Sequence, residues 1–292
     1  MTNPLLVICG PTATGKTKLG LRLAKLLDGE VVSADSRQVY RHMDIGTGKG
    51  KEKVWGYDLV NPDEEFSISH YQKFARKKIE EILKRKRVPI LVGGSGLYIK
   101  TISDGIETID ISSNKTLREN LADKNVSQLV AILRDVDRGK LDRMNGSDRN
   151  NPRRLIRAIE IAGRGSSQSD SGVKKKLRYN TLFIGLTADK EELKKRIEKR
   201  VDLRIKNGFE KEVLFLKKQG VWNGAPKMTL GYREWPDVKK WKVEEFKYAK
   251  RQMTWFKKDK RIKWFDIGQP DYGKQVEKLT KKWYSEAHAE KN

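Results

Sequence analysis

The segment Gly10-Pro11-Thr12-Ala13-Thr14-Gly15-Lys16-Thr17 constrains this chain more than any other. It fits the pattern G-x-x-x-x-G-K-[ST]. The apolar run Leu5-Leu6-Val7-Ile8-Cys9 precedes it and reads as a short buried strand. Lys18 to Leu27 follows, a helix with Leu19, Leu23, Leu26 and Leu27 on one face. Strand, glycine-bounded loop and helix in that order turn a row of backbone N–H groups, and the positive end of the helix, toward an anion. Lys16 adds a point charge, and the Thr17 hydroxyl is a candidate ligand for Mg2+. This arrangement identifies a site for a diphosphate or triphosphate group without identifying a nucleotide.

Further along, Glu30 to Ser33 and Val88 to Val92 read as buried strands. A helix is expected between them from about His70 to Lys86, with Ser69 as its N-cap. Thr181 to Leu186 and Ile262 to Asp266 carry further strand character, and two helices are expected at Asp189 to Asn207 and Phe209 to Gln219. Short apolar strands alternating with helices predict an α/β fold, a mostly parallel phosphate-loop sheet with helices on both faces. From about Ile109 to Gly165 there is no strand signal, and Gly163 to Lys176 is rich in Gly, Ser and Lys. Residues 109–176 are therefore expected to form a helical insertion in a core of residues 1–108 and 177–292.

Lys and Arg number 63 against 39 Asp and Glu, a formal charge of +24. Such a field attracts polyanions and favours a nucleic acid as partner. The single cysteine, Cys9, excludes a disulfide framework or a cysteine metal cluster and reads as a small core residue. No stretch is long and apolar enough to suggest a membrane span, and a cytoplasmic protein is expected.

Five further segments carry chemistry. Asp35-Ser36-Arg37-Gln38-Val39-Tyr40 follows the second strand, where the carboxyl ends of parallel strands line a ligand crevice. Asp35 there could accept a proton, ligate Mg2+ or cap a helix. Gly93-Gly94-Ser95-Gly96 ends the third strand and offers close backbone approach and one hydroxyl. Asn151-Pro152 opens a helix whose Arg153, Arg157 and Arg164 share a face, suited to phosphate contacts or to solvent. Arg196, Arg200 and Arg204 recur every four residues, either as a salt-bridged face or to place a guanidinium over a leaving phosphate. Tyr248 to Lys257 interleaves bases and aromatics, which suits RNA stacking, the packing of Trp255 and Phe256 into a core, or both.

These motifs, with NPRRLIRAIEI, RIEKRVDLRIKNGFEKEV, GYRE and YAKRQMTWF, occur in the order seen in bacterial-type tRNA dimethylallyltransferases, which the chain resembles from about Leu5 to Asp266. The resemblance implies transfer of a dimethylallyl group from dimethylallyl diphosphate to N6 of the adenosine 3′-adjacent to the anticodon, with Mg2+ as cofactor. It implies a diphosphate site at Gly10, Thr12, Ala13, Thr14, Gly15, Lys16 and Thr17, with Thr17 toward the metal. Asp35 matches the family's proposed general base, and Lys16 and Arg200 match groups that stabilise the departing diphosphate. Contacts to tRNA are implied for Asp35, Ser36, Arg37, Gln38, Ser95 and Arg118. The same holds for Arg153, Arg154, Leu155, Ile156 and Arg157, for Gly231, Tyr232 and Arg233, and for Lys250, Arg251, Gln252, Trp255 and Lys257. Ser95 stands where the family usually has threonine and retains the hydroxyl. The stretch from Gly231 to Tyr248 is shorter than is usual, and no cysteine/histidine finger follows Asp266, in keeping with the bacterial type. A monomer is expected. The rival expectations are a transferase acting on free AMP, a small-molecule kinase, and an RNA-binding NTPase that transfers nothing.

Overall fold

The computed structural model describes residues 3–111, 113–163 and 179–289. Arg164 and most of the segment from Gly163 to Lys176 lie outside the described residues. By chain contacts the protein divides into two compact units, Met1–Gly105 with Lys176–Asn292, and Ile106–Lys175.

The larger unit is built on five parallel strands: β1 (Asn3–Cys9), β2 (Gly29–Ser33), β3 (Val88–Val92), β4 (Tyr179–Thr187) and β5 (Lys263–Asp266). Their order across the sheet is β2-β3-β1-β4-β5. The register pairs Ile8 with Val92 and with Ile184, so the loops after β1 and β3 emerge side by side. Alternation along β1 feeds two separate cores. Leu5, Val7 and Cys9 pack with Tyr71, Ile79 and Ile102 on one face, from α2 (Ile68–Lys84) and α3 (Gly96–Ser103). Leu6 and Ile8 pack on the other with Leu19 and Leu23 of α1 (Lys16–Leu26), and with Val276 and Trp283 of α12 (Tyr272–Ala289). A third cluster joins α8 (Lys190–Lys206) and α9 (Phe209–Lys218) to α11 (Val238–Phe256) through Val201, Phe209 and Trp241. A short helix, α10 (Ala225–Met228), lies between α9 and α11 in the chain.

Some local expectations are corrected. Leu26 is 37% exposed, so the buried stripe of α1 is Leu19, Gly20 and Leu23. Helix α2 starts at Ile68, and Ser67 rather than Ser69 caps it: the Ser67 hydroxyl accepts from His70 N, and His70 Nδ1 accepts from Ser67 N. A histidine replaces the usual Glu or Gln of this reciprocal cap, which is why the sequence pattern missed it. Helices α3 and α12 were not anticipated at all.

The smaller unit holds α4 (Lys115–Leu121), α5 (Val126–Arg143), α6 (Gly146–Arg149) and α7 (Pro152–Ala162) around its own apolar core of Leu121, Leu129, Leu133, Leu155 and Ile159. Its polar centre is Glu160, whose side chain is 1% exposed. The Glu160 carboxylate accepts from Asn114 N at 2.9 Å, from both Nε and Nη2 of Arg118, and from Arg157 Nη1. Arg157 also donates to the carbonyls of Thr108 and Ile111, at 2.8 Å each. Burial would raise this carboxyl, yet the Arg118, Asn114 and Arg157 hydrogen bonds prevail and hold it at about 2. A carboxyl depressed in the folded state stabilises above its unfolded value near 4.5, and that contribution disappears as pH falls toward 2. Glu160→Ala is expected to destabilise this unit by about 2 kcal/mol at pH 7. That is below the roughly 3–5 kcal/mol of a fully buried pair, because the arginines are partly solvated. Amide exchange of α4 and α7, followed from pH 7 to pH 3, measures both effects.

Candidate active site

The phosphate loop is held open by its glycines and by neighbouring strands. A side chain at Gly10, with φ 131°, would strike the Leu186 carbonyl at 2.3 Å, so β4 passes where only glycine fits. Gly15, with φ 82°, caps α1 without a side-chain hydrogen bond and leaves its first N–H groups facing the cleft. Ala13, a non-glycine residue, also takes a positive φ of 66°. The Thr14 hydroxyl turns inward to the Pro11 carbonyl.

Across the cleft, Ala34 N donates to Val92 O and Ser95 N to Ala34 O, which brings the loops after β2 and β3 together. The Ser95 hydroxyl accepts from Ser36 N at 3.1 Å. Asp35 Oδ1 accepts from Arg37 N at 2.8 Å, closing a local turn. No helix follows within the described residues before Ile68, so the helix-cap reading of Asp35 is set aside. Gln38 is buried; it accepts from the Ser33 hydroxyl and donates to Thr47 O.

These elements enclose a cavity of about 460 Å³ whose walls include Thr12, Lys16, Thr17, Asp35, Gln38 and Arg200. A second cavity of about 290 Å³ adjoins it, reaching Ser36, Arg37, Met228, Arg233 and Arg251. Lys16 is partly buried, and its Nζ donates to Pro11 O. Desolvation, then the Arg200 charge, push its amine down to about 8, against the pull of Asp35.

The three arginines of α8 separate. Arg196 pairs with Glu192 on the same helix and is outside the cleft wall. Arg204 is buried against Glu245 at 3.3 Å. Arg200 reaches into the cleft, with Nη1 donating to the Thr12 hydroxyl at 2.9 Å. Arg204, then burial, lower the Arg200 guanidinium to about 10, which leaves it charged at neutral pH. Spacing alone put these arginines on one face; the acids that take Arg196 and Arg204 leave Arg200 as the one that reaches the phosphate loop.

Sequence reasoning missed Glu245 and misjudged Gln252. Both lie on the buried stripe Trp241, Glu245, Ala249, Gln252, Phe256 of α11. Gln252 Oε1 accepts from Thr12 N at 2.8 Å, and its Nε2 donates to Gly94 O at 3.0 Å, so it clamps the phosphate loop to the β3–α3 loop. Glu245 accepts from the Thr12 hydroxyl and from Trp241 Nε1. Burial opposes ionisation of Glu245, but Arg204 and Arg200 overcome it and keep the carboxyl below its ordinary range. A Glu and a Gln at buried-stripe positions of an otherwise apolar face were the available signal.

Other expected RNA contacts are also buried. Tyr232 has no exposed surface and donates its hydroxyl to Glu212 at 2.6 Å. Leu155 has none either and belongs to the core of the smaller unit, while Ile156 is partly buried beside it. The side chains of Tyr232, Leu155 and Gln252 are thus committed to packing or to the loop clamp. Arg118 and Arg157 are engaged by Glu160, and Arg154 pairs with Asp148. Arg233 pairs with Glu234 and Glu244, and Gly231 N donates to Glu234. Arg153, Lys250, Arg251, Trp255 and Lys257 are exposed, with Trp255 42% accessible and its indole against Gly96; Phe256 is buried.

The oxygen donors Thr17 and Asp35 both line this cavity and fit a hard divalent cation such as Mg2+, which takes few protein ligands and completes its shell with substrate phosphates and water. Among the described residues no helix is long and apolar enough to cross a membrane.

The profile of the family described as IPP transferase matches residues 38–259, and that of isopentenyl transferase matches residues 3–58. The tRNA dimethylallyltransferase of Carboxydothermus hydrogenoformans is 36% identical, covering 98% of this chain and 98% of that protein. The protein of the same name from Bacillus cereus strain AH820 is 39% identical, over 89% of each. The crystal structure of the full-length tRNA isopentenylpyrophosphate transferase from Bacillus halodurans superposes with a TM-score of 0.72 at 31% identity, covering 100% of each chain. A eukaryotic dimethylallyltransferase acting on tRNA gives a TM-score of 0.78 over 95% of this chain and 78% of its own; at 24% identity it supports the fold alone. A phosphate loop facing Asp35 across a cleft, on a chain with these relatives along nearly its whole length, belongs to the IPP transferase family, the tRNA dimethylallyltransferases.

Proposed function

We propose that this chain transfers a dimethylallyl group from dimethylallyl diphosphate to N6 of the adenosine 3′-adjacent to the anticodon in tRNA and releases diphosphate. The observation that carries this reading is the pair of adjoining cavities. One is lined by the phosphate loop, the other opens toward Arg37, Arg233 and Arg251, and Asp35 borders both. An anionic leaving group and a nucleobase can therefore meet at one carboxylate. The relatives' names and the +24 charge support tRNA over a free nucleotide.

In this mechanism the C1–O bond of the allylic ester breaks with its electron pair on the diphosphate oxygen. The N6 lone pair forms the new C1–N bond, and Asp35 accepts the N6 proton. Lys16, Arg200 and the N–H groups at the start of α1 hold the departing diphosphate, charge stabilisation by preorganised donors. Thr17 would hold Mg2+, which would neutralise diphosphate charge when bound. The adenosine leaves its stack to enter the second cavity. The exposed Arg153, Lys250, Arg251, Trp255 and Lys257 are assigned to the RNA, and the protein acts as a cytoplasmic monomer.

Incubation with tRNA, dimethylallyl diphosphate and Mg2+, followed by mass analysis of the nucleosides, tests this. The expected product is an adenosine carrying one added five-carbon unit. Modification of free AMP but not tRNA, or nucleotide hydrolysis with no modified nucleoside, would overturn it.

A further inference from the structure

Five residues border both cavities: Thr12, Asp35, Arg200, Arg204 and Tyr248. They form the waist between the diphosphate chamber and the nucleobase chamber. The group that must cross this waist is a branched hydrocarbon that gains positive charge as its bond to oxygen stretches. Four of the five residues are polar or charged, and two are cations. Arg204 is taken up by Glu245, and Arg200 and Thr12 are bonded to each other. Tyr248 is the one aromatic residue among these five, and the Arg251 guanidinium lies 5.8 Å from its ring centre. Tyr248 is partly buried on α11, one turn from both Glu245 and Gln252, the residues that hold the phosphate loop.

We propose that the Tyr248 ring is the surface against which the dimethylallyl group rests during transfer, and that its π face stabilises the positive charge developing on the allylic carbons. This inference rests on the transferase reading above. An aromatic face attracts a cation by its quadrupole, with little penalty for the neutral ground state, so the interaction strengthens along the reaction coordinate. Such a contact also excludes water, which would otherwise capture C1 and give the alcohol. The hydroxyl does not compete with Asp35 for the proton: burial, then the Asp35 charge, raise the phenol well above its ordinary range and keep it protonated.

The test compares Tyr248→Phe, Tyr248→Leu and a series of fluorinated phenylalanines at position 248, in single-turnover transfer to tRNA. Wild-type protein is assayed first. If it does not modify tRNA, the transferase reading fails. If it does, the inference stands or falls on the variants alone. Tyr248→Phe should transfer within about threefold of wild type. Tyr248→Leu, which keeps an apolar side chain but removes the ring, should be slower by roughly 5- to 30-fold, the worth of a desolvated cation–π contact. Its affinity for inorganic diphosphate should be unchanged, and more dimethylallyl alcohol should appear per transfer. Each added fluorine should slow transfer further at constant diphosphate affinity, which a packing role would not produce. Transfer by Tyr248→Leu at the rate of Tyr248→Phe, or a fluorine series with no trend, would overturn the inference.

Discussion

Lys16→Ala is expected to lower transfer by about 10³-fold. Its amine lies on the wall of the diphosphate cavity with Thr17 and Arg200, and removal of one preorganised donor to a developing anion costs roughly 10²–10³ in rate. The pH dependence gives a second check. With its amine lowered to about 8, Lys16 is charged below that pH and neutral above it. In the free enzyme, affinity for inorganic diphosphate should therefore fall as pH rises through 8, and Lys16→Ala should flatten that limb. The stability effect has the opposite sense. A lysine whose folded value lies below its unfolded value of 10.5 destabilises the fold below pH 8, and this cost is relieved between 8 and 10.5. Lys16→Ala should thus be no easier to unfold in urea at pH 7 than wild type. A variant with wild-type turnover would remove the loop from the mechanism.

Asp35→Asn is expected to slow transfer by roughly 10²–10⁴, the usual worth of a general base, with tRNA affinity nearly unchanged. Asparagine keeps the shape and can still accept from Arg37 N, so the local turn survives. With no helix for Asp35 to cap, loss of rate cannot be charged to a lost cap. Two roles remain, and a Mg2+ series separates them. If Asp35 serves chiefly as a metal ligand, added Mg2+ should recover much of the loss. If it is the base, the rate should stay low at every Mg2+ concentration. A rate within a few-fold of wild type would exclude both.

Local patterns made much of this legible in the sequence. The phosphate loop declared itself because strand, glycines and helix are contiguous and each has its own period. The β3 strand, Val88–Val92, was read to the residue because buried parallel strands are short unbroken apolar runs. What stayed hidden depends on pairs far apart in the chain. Arg204 meets Glu245, and Thr12 meets Gln252, across 41 and 240 positions, and no local period records either contact. The same limit governs the smaller unit. Arg118 looked like a free cation because its acid, Glu160, is 42 positions away; the Arg157–Glu160 pair, three residues apart on α7, was local and simply passed over. Arginine faces can be read from sequence; whether a distant acid has already claimed them cannot.

Glu212, on α9, also shapes what the cleft will accept. Its carboxylate takes the consecutive N–H groups of Asp44, Ile45 and Gly46, at 2.7 to 3.0 Å, with the Tyr232 hydroxyl as a fourth donor. Three converging amides form a concavity that binds phosphate oxygens when empty, and Asp44 and Ile45 also wall the diphosphate cavity. The chain fills this decoy with an anion of its own. With those amides occupied by Glu212, they have no free donor to offer a diphosphate, whereas the first N–H groups of α1 remain open to one.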